Sequence, residues 1–216
     1  MIRRPKLLAG EDLLPDPRQA RSLEKRARLK QAGLALFGEQ GYDGTSIEGI
    51  ASRAKLAVGG FYQHYRSKRQ LLLALMDELL EGLDRIDLRP ASMADPRAGI
   101  RDLLARAFSR DLEYLGAYRA WREAVRADPG LARLHDRVHR WTTRRVETVF
   151  GLLARMPGAR SRVDIPGLAR VMDTIFWSLL ADAPRLSEAA LARRIDSLTH
   201  LIHHAIFADP PVKGRG

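Results

Sequence analysis

From Leu23 to Gln40 apolar residues recur with the period of a helix. Leu29, Ala32, Leu36 and Phe37 share one face, and Glu24, Lys25, Arg28 and Lys30 lie mainly elsewhere. The helix should stop at Gly41, because glycine accepts the left-handed backbone that ends helices. A second helix is expected from Thr45. In Thr45-Ser46-Ile47-Glu48 the threonine hydroxyl can take a backbone N–H and the glutamate can reach back, the capping-box arrangement. Ile47, Ile50 and Ala51 would then face inward, with Ala54 closing the stretch. After a break at Lys55-Leu56-Ala57, a short third helix from Val58 to Tyr65 carries Phe61, Tyr62 and Tyr65. Ser67 is placed to cap a fourth, in which Leu71, Leu72, Leu75, Met76, Leu79, Leu80 and Leu83 form a broad apolar stripe.

The stretch from Asp87 to Pro96 contains two prolines and reads as a linker. Beyond it the helical pattern resumes in Ile100–Tyr114, Tyr118–Arg126 and Leu131–Met156. Two amphipathic helices close the chain, from about Gly167 to Asp182 and from Ser187 to Phe207. No strand-like alternation and no internal repeat occurs, so the fold expected is all-α. It would comprise an N-terminal helix-turn-helix domain of three helices and a larger helical domain. The divisions expected are a flexible basic arm over 1–20, the helix-turn-helix over 21–66, a connecting helix over 67–85 and the second domain over 86–216.

Charge sharpens this picture. The chain of 216 residues has a formal net charge of +11. Residues 1–69 hold 14 of the 37 Lys/Arg but only 7 of the 26 Asp/Glu. Basic charge concentrated on a helix-turn-helix points to nucleic acid. There are no cysteines, which excludes disulfides, thiolate metal sites and a cysteine nucleophile. No apolar run approaches the ~18 residues a membrane span needs. No apolar core follows the basic residues near the N-terminus, so a cytoplasmic protein is expected. His135 and His139 stand four apart on one helix, but no further ligand completes a metal site, and no metal or cofactor is expected.

In a helix-turn-helix the second helix enters the major groove while the first crosses the backbone. That second helix here begins Val58-Gly59-Gly60, and two poor helix formers at its start suit a close approach of backbone to DNA. Phe61 and Tyr65 can both face the small core, which leaves Tyr62, Gln63 and His64 pointing partly outward. The run Leu36-Phe37, Gly41-Tyr42, Thr45-Ser46-Ile47, Ile50-Ala51, Ala54, Gly59, Tyr62, His64-Tyr65, Ser67-Lys68 and Leu71-Leu72 resembles the N-terminal domain of the TetR family over about residues 24–82.

The resemblance implies a ligand-responsive transcriptional regulator, a repressor that binds a palindromic operator as a homodimer and is released by a small, largely apolar effector. Thr45 is similar to the family's phosphate-contacting residue, Tyr62 and His64 to its backbone-contacting aromatic and histidine, and Lys68 to its phosphate-binding lysine. Gly60 and Gln63 sit where family members touch bases, and Ser46 and Lys55 complete the expected DNA-binding set. The turn departs from the pattern. The family has Ala-Gly-Val-Ser where this chain has Ala54-Lys55-Leu56-Ala57, so a lysine replaces a glycine that takes positive φ cheaply and an alanine replaces a capping serine.

For the second domain the resemblance implies that the last two helices pair with their copies in a partner. Val171, Ile175, Leu179, Leu191, Ile195, Leu198 and Ile202 are the expected interface. Tyr118, Trp121, Trp141, Met172, Phe176 and Trp177 are the expected lining of an effector pocket. The fourth helix is the natural lever between effector and DNA. Two other classes compete: a helical enzyme, for which no nucleophile elbow, P-loop, GxGxxG or HExxH is present, and a membrane-surface protein built on basic amphipathic helices.

Overall fold

The computed structural model describes residues 3–15, 17–87, 95–183 and 186–207. The described secondary structure consists of the helices α1 (Ala20–Gly44), α2 (Ile47–Arg53), α3 (Val58–Tyr62), α4 (Lys68–Asp84), α5 (Pro96–Glu113), α6 (Leu115–Ala127), α7 (Pro129–Leu153), α8 (Ile165–Asp182) and α9 (Glu188–Ile206). An antiparallel bridge joins Ala159 to Phe207. Most of the expected linker, 88–94, and the last residues, 208–216, lie outside the described residues.

Local chemistry explains where the helices begin and end. Gly41 breaks α1 at φ 75°, as its residue type suggests, although one further turn follows it. The capping box expected at Thr45 is replaced by a simpler cap one residue later. Ser46 accepts the N–H of Gly49 at 3.0 Å, while the Thr45 hydroxyl donates to the Gly41 carbonyl at 2.6 Å. The kinked end of α1 offers Thr45 that carbonyl, and the hydroxyl turns inward to meet it. Ser67 caps α4 as expected, accepting from Gln70 N at 3.1 Å. Asp128 takes the N–H groups of Gly130 and Leu131 at 2.7 and 3.1 Å, so that α7 starts at Pro129, where proline's missing N–H costs nothing. The third helix ends at Tyr62, three residues sooner than its pattern suggests, and residues 63 and 64 continue as a turn.

The chain divides into two compact units, one of residues 3–85 and 110–139, the other of 86–109 and 140–216. In the first, α1 packs on α2, α4 and α6, α2 on α3, and α4 on α6. Leu29, Phe37, Ile50, Phe61 and Leu71 are wholly out of water there, each burial worth roughly 1.5–3 kcal/mol. The α1–α6 crossing is close because Gly116 has no side chain: a Cβ on it would lie 2.1 Å from the Leu34 carbonyl oxygen. In the second unit Phe108, Trp141, Phe150, Leu153, Leu180, Leu198, Ile202 and Ile206 are buried, and Phe108 meets Phe176 with ring centroids 4.4 Å apart.

The N-terminal segment differs from the loose arm its prolines and charges suggest. Leu7 is buried and its N–H donates to Asp77 at 2.8 Å, while Arg4 pairs with the same carboxylate at 2.7 Å. Asp12 pairs with Arg66 at 2.7 Å, and Glu11 pairs with Arg69. Composition registers the charges of such a segment but not the complementary charges of Arg66 and of Arg69 and Asp77 in α4 that hold it.

Candidate nucleic-acid interface

The helix-turn-helix is α2, the turn Ala54–Ala57 and α3. Lys55 stands at φ 56°, the one non-glycine residue with positive φ among the described residues. The turn is closed by Lys55 N–H to the Ser52 carbonyl and Leu56 N–H to the Ala51 carbonyl, both at 2.9 Å. Ala57, at the N-cap of α3, makes no side-chain cap, as its lack of a hydroxyl dictates. The inner face of α3 is an aromatic cluster: Phe61 and Tyr65 lie 5.8 Å apart, and Arg26 sits 5.5 Å from the Tyr65 ring centroid. On the outer face Tyr62 is 49% exposed and Gln63 is exposed beside it. A Cβ on Gly59 would meet nothing within 4 Å, whereas one on Gly60 would meet Leu56 at 3.3 Å.

Two expected contact residues are placed differently. His64 is not on the outer face: it is 6% exposed and its Nε2 has no hydrogen-bond partner among the described residues. Three residues after the buried Phe61 and beside Tyr65, His64 falls on the inner side of this turn. Burial, then the charges of Arg26 and Lys25, holds its pKa below the ordinary value. Thr45 is 2% exposed, with its hydroxyl committed to Gly41, so its side chain is turned away from the surface. Ser46 and Lys55 are exposed, and Gly60 is half-buried.

Lys68 is half-buried and already engaged. Its ammonium donates to the carbonyls of Tyr42 and Thr45 at 2.6 and 2.8 Å and lies 4.4 Å from the Tyr42 ring centroid. Burial lowers its pKa, opposed by Asp43 and Glu123. From the other side the Glu123 carboxylate of α6 accepts the N–H groups of Asp43 and Tyr42, at 3.0 and 2.8 Å, and these bonds hold its pKa below the usual carboxylate value. A Cβ on Gly41 would sit 2.3 Å from Glu123 Oε2. The segment leading into α2 is thus gripped by α4 and by α6. Glu123 has no signal in the sequence, where it reads as one more helix-surface charge.

The profile of bacterial regulatory proteins of the tetR family matches residues 29–75. The uncharacterized HTH-type transcriptional regulator YezE of Bacillus subtilis is 30% identical over 183 residues, 75% of this chain and 90% of that protein. The chain belongs to the TetR family. It is therefore a helix-turn-helix DNA-binding transcriptional regulator. TcmR of Streptomyces glaucescens is 31% identical over 157 residues, covering 70% of this chain and 66% of that protein. The fold agrees with that of a protein from Saccharomonospora viridis solved in complex with choline, at TM-score 0.68 and 19% identity over 87% of this chain and 100% of that one. Against the TetR pattern, the turn of this regulator keeps the glycine-like backbone at Lys55 without the glycine, and loses the serine cap at Ala57.

The residues expected to line an effector pocket fall into two groups. Tyr118 and Trp121 belong to the unit of the DNA-binding helices, where both are buried and the Trp121 indole N–H donates to His135 Nδ1 at 3.0 Å. Trp141, Met172, Phe176 and Trp177 belong to the other unit. Of the expected interface, Val171 is 54% exposed and Ile175, Leu179 and Leu191 are half-buried. Ile195, Leu198 and Ile202 are buried within the chain itself. Periodicity marks an apolar face but does not say what covers it. No described helix is long and apolar enough to cross a membrane.

Proposed function

We propose that this TetR-family regulator is a repressor that binds a palindromic operator as a homodimer and is released by a small, largely apolar effector. One observation carries the DNA-facing part: α3 keeps Phe61 and Tyr65 inside while Tyr62 and Gln63 stand exposed beside an open Gly59. The proposed DNA surface is Ser46, Lys55, Gly60, Tyr62 and Gln63. Lys68 adds its remaining N–H toward phosphate, and Thr45 and His64 position the others from inside. Gln63 reads a base edge and Ser46 and Tyr62 hold phosphates.

The effector seat is assigned to Trp141, Met172, Phe176 and Trp177. The Trp141 Nε1 is buried with no hydrogen-bond partner among the described residues, so an effector carrying an acceptor group would satisfy it. The choline-bound protein of the same fold supports a small-molecule ligand for this one. Release is a population shift, in which the effector binds the DNA-incompetent arrangement better than the competent one. Since α4 and α6 both grip the entrance to α2, a shift of either changes the pitch of the recognition helix.

The test is a gel shift on the intergenic DNA upstream of the gene, with salt titration and random competitor DNA. Specific, salt-sensitive binding is expected. Gln63→Ala should reduce discrimination between operator and random DNA, where Lys68→Ala weakens both alike. Equal loss on both DNAs for Gln63→Ala removes Gln63 from base reading, and wild-type binding no tighter than to random DNA rejects an operator at that site.

A further inference from the structure

A cleft of about 350 Å³ is bounded by Arg28, Gln31 and Ala32 of α1 and by Arg53, Ala54 and Lys55 at the end of α2. Three of its six lining residues are cations and none is an anion. Arg53 is committed to Glu39 at 2.7 Å. The other two are not: among the described residues neither the Arg28 guanidinium nor the Lys55 ammonium has a hydrogen bond or ion pair, and Arg28 Nε is shut off from solvent with no partner. A buried guanidinium N–H is costly to leave unsatisfied, so such a group marks the place of an absent acceptor. Cations near the end of α2 would also complement its dipole, which accounts for Arg53 and Lys55. It does not account for Arg28, which belongs to α1 and has its Nε enclosed.

We propose that this cleft is a phosphate seat. The guanidinium fork of Arg28 matches two oxygens of a tetrahedral oxyanion, Lys55 supplies a second charge from the turn, and the Gln31 amide can donate to a third oxygen. Lys55 lies three residues before α3, so the phosphate it serves is a backbone phosphate of the DNA beside the groove that α3 enters. The seat thereby supplies a backbone contact from the turn, where Ala57 offers no hydroxyl. The DNA source rests on the operator-binding reading, while the seat itself can also be tested with a free phosphate compound.

Two measurements on the full chain separate these. Pyrophosphate titrated into the ¹⁵N-labelled protein should shift the Arg28 Nε–H resonance and the Lys55 backbone amide, and the amide should stay still in Arg28→Gln. Binding to operator and to random DNA across a salt series should show a log–log slope smaller by ~0.9 in Arg28→Gln and in Lys55→Gln, with both DNAs weakened alike, and an unchanged slope in Arg28→Lys. Lys55→Gln is exposed and carries the test alone if Arg28→Gln does not fold. Pyrophosphate shifts with unaltered DNA slopes would overturn the DNA source and leave a seat for a free phosphate compound. Pyrophosphate shifts in a protein that binds no DNA would support the seat while rejecting the operator reading. No pyrophosphate shift and wild-type slopes in both glutamine variants would overturn the seat.

Discussion

Lys55 holds a backbone conformation that costs a residue with a Cβ on the order of 1–2 kcal/mol, and two residues later Ala57 leaves the first turn of α3 uncapped. Each can be repaired singly. Ala57→Ser should stabilise the protein by ~1 kcal/mol by supplying the missing acceptor. Lys55→Gly should gain about 0.5–1 kcal/mol, part of the relieved strain being offset by the greater freedom of glycine in the unfolded chain. Denaturant unfolding would measure both, and no gain for Lys55→Gly would show that the turn is unstrained. His64 allows a pH prediction. Its pKa is lowered in the folded state, so the unfolded chain binds its proton first as pH falls. The stability it contributes is therefore present above about pH 6.5 and is lost as pH drops through that value toward the folded pKa. His135, also lowered, by burial first and by His139 next, adds to the same window. Stability followed from pH 7.5 to 5 should decline, and less steeply in His64→Gln. An equal decline in that variant would remove His64 as a source.

Between residue and domain, the short segment from Gly41 to Ser46 is the element on which the site depends. It is held by Lys68 from α4 and by Glu123 from α6, and α4 is itself tied to the start of α7 through Arg69 and Asp128 at 3.0 Å. A carboxylate that accepts two backbone N–H groups fixes a loop more firmly than packing does, because both directions are specified. Glu123→Gln keeps the size but loses the charge and one of the two acceptors. It should weaken operator binding while leaving the salt slope unchanged, because Glu123 meets backbone amides of its own chain and no phosphate. A slope lowered by about 1 would instead mean that the substitution disturbs a phosphate contact.

At the scale of the molecule, a palindromic operator needs two recognition helices one DNA turn apart, which a single chain does not supply. Exposed Val171 on α8 and Leu201 on α9, at 54% and 52%, are large apolar residues left in water by the isolated chain. If a second copy covers them, Val171→Asp should shift sedimentation from dimer toward monomer and lower operator affinity without changing helix content. An unaltered dimer would move the interface away from α8. With Ile195, Leu198 and Ile202 already buried in their own chain, the surface left for a partner is narrower than the apolar stripe on α9 suggests.

What was legible in the sequence was periodic or local. The helix stripes, the break at Gly41 and the cap at Ser67 follow from residue type and spacing, because helical period and backbone sterics act over a few residues, while the special backbone at Lys55 was signalled only by the family resemblance. The spaced agreement around α2 and α3 was enough to identify the family. Tertiary structure alone decided which polar residues were already spoken for. It turned Thr45 and His64 inward, gave Lys68 two carbonyl partners, pinned the N-terminal segment to α4 and made Glu123 a clamp. The grips on Lys68, the N-terminal segment and Glu123 depend on groups from tens of residues away reaching hydrogen-bond distance, about which local pattern holds no information, whereas Thr45 is drawn inward by the Gly41 carbonyl four residues before it.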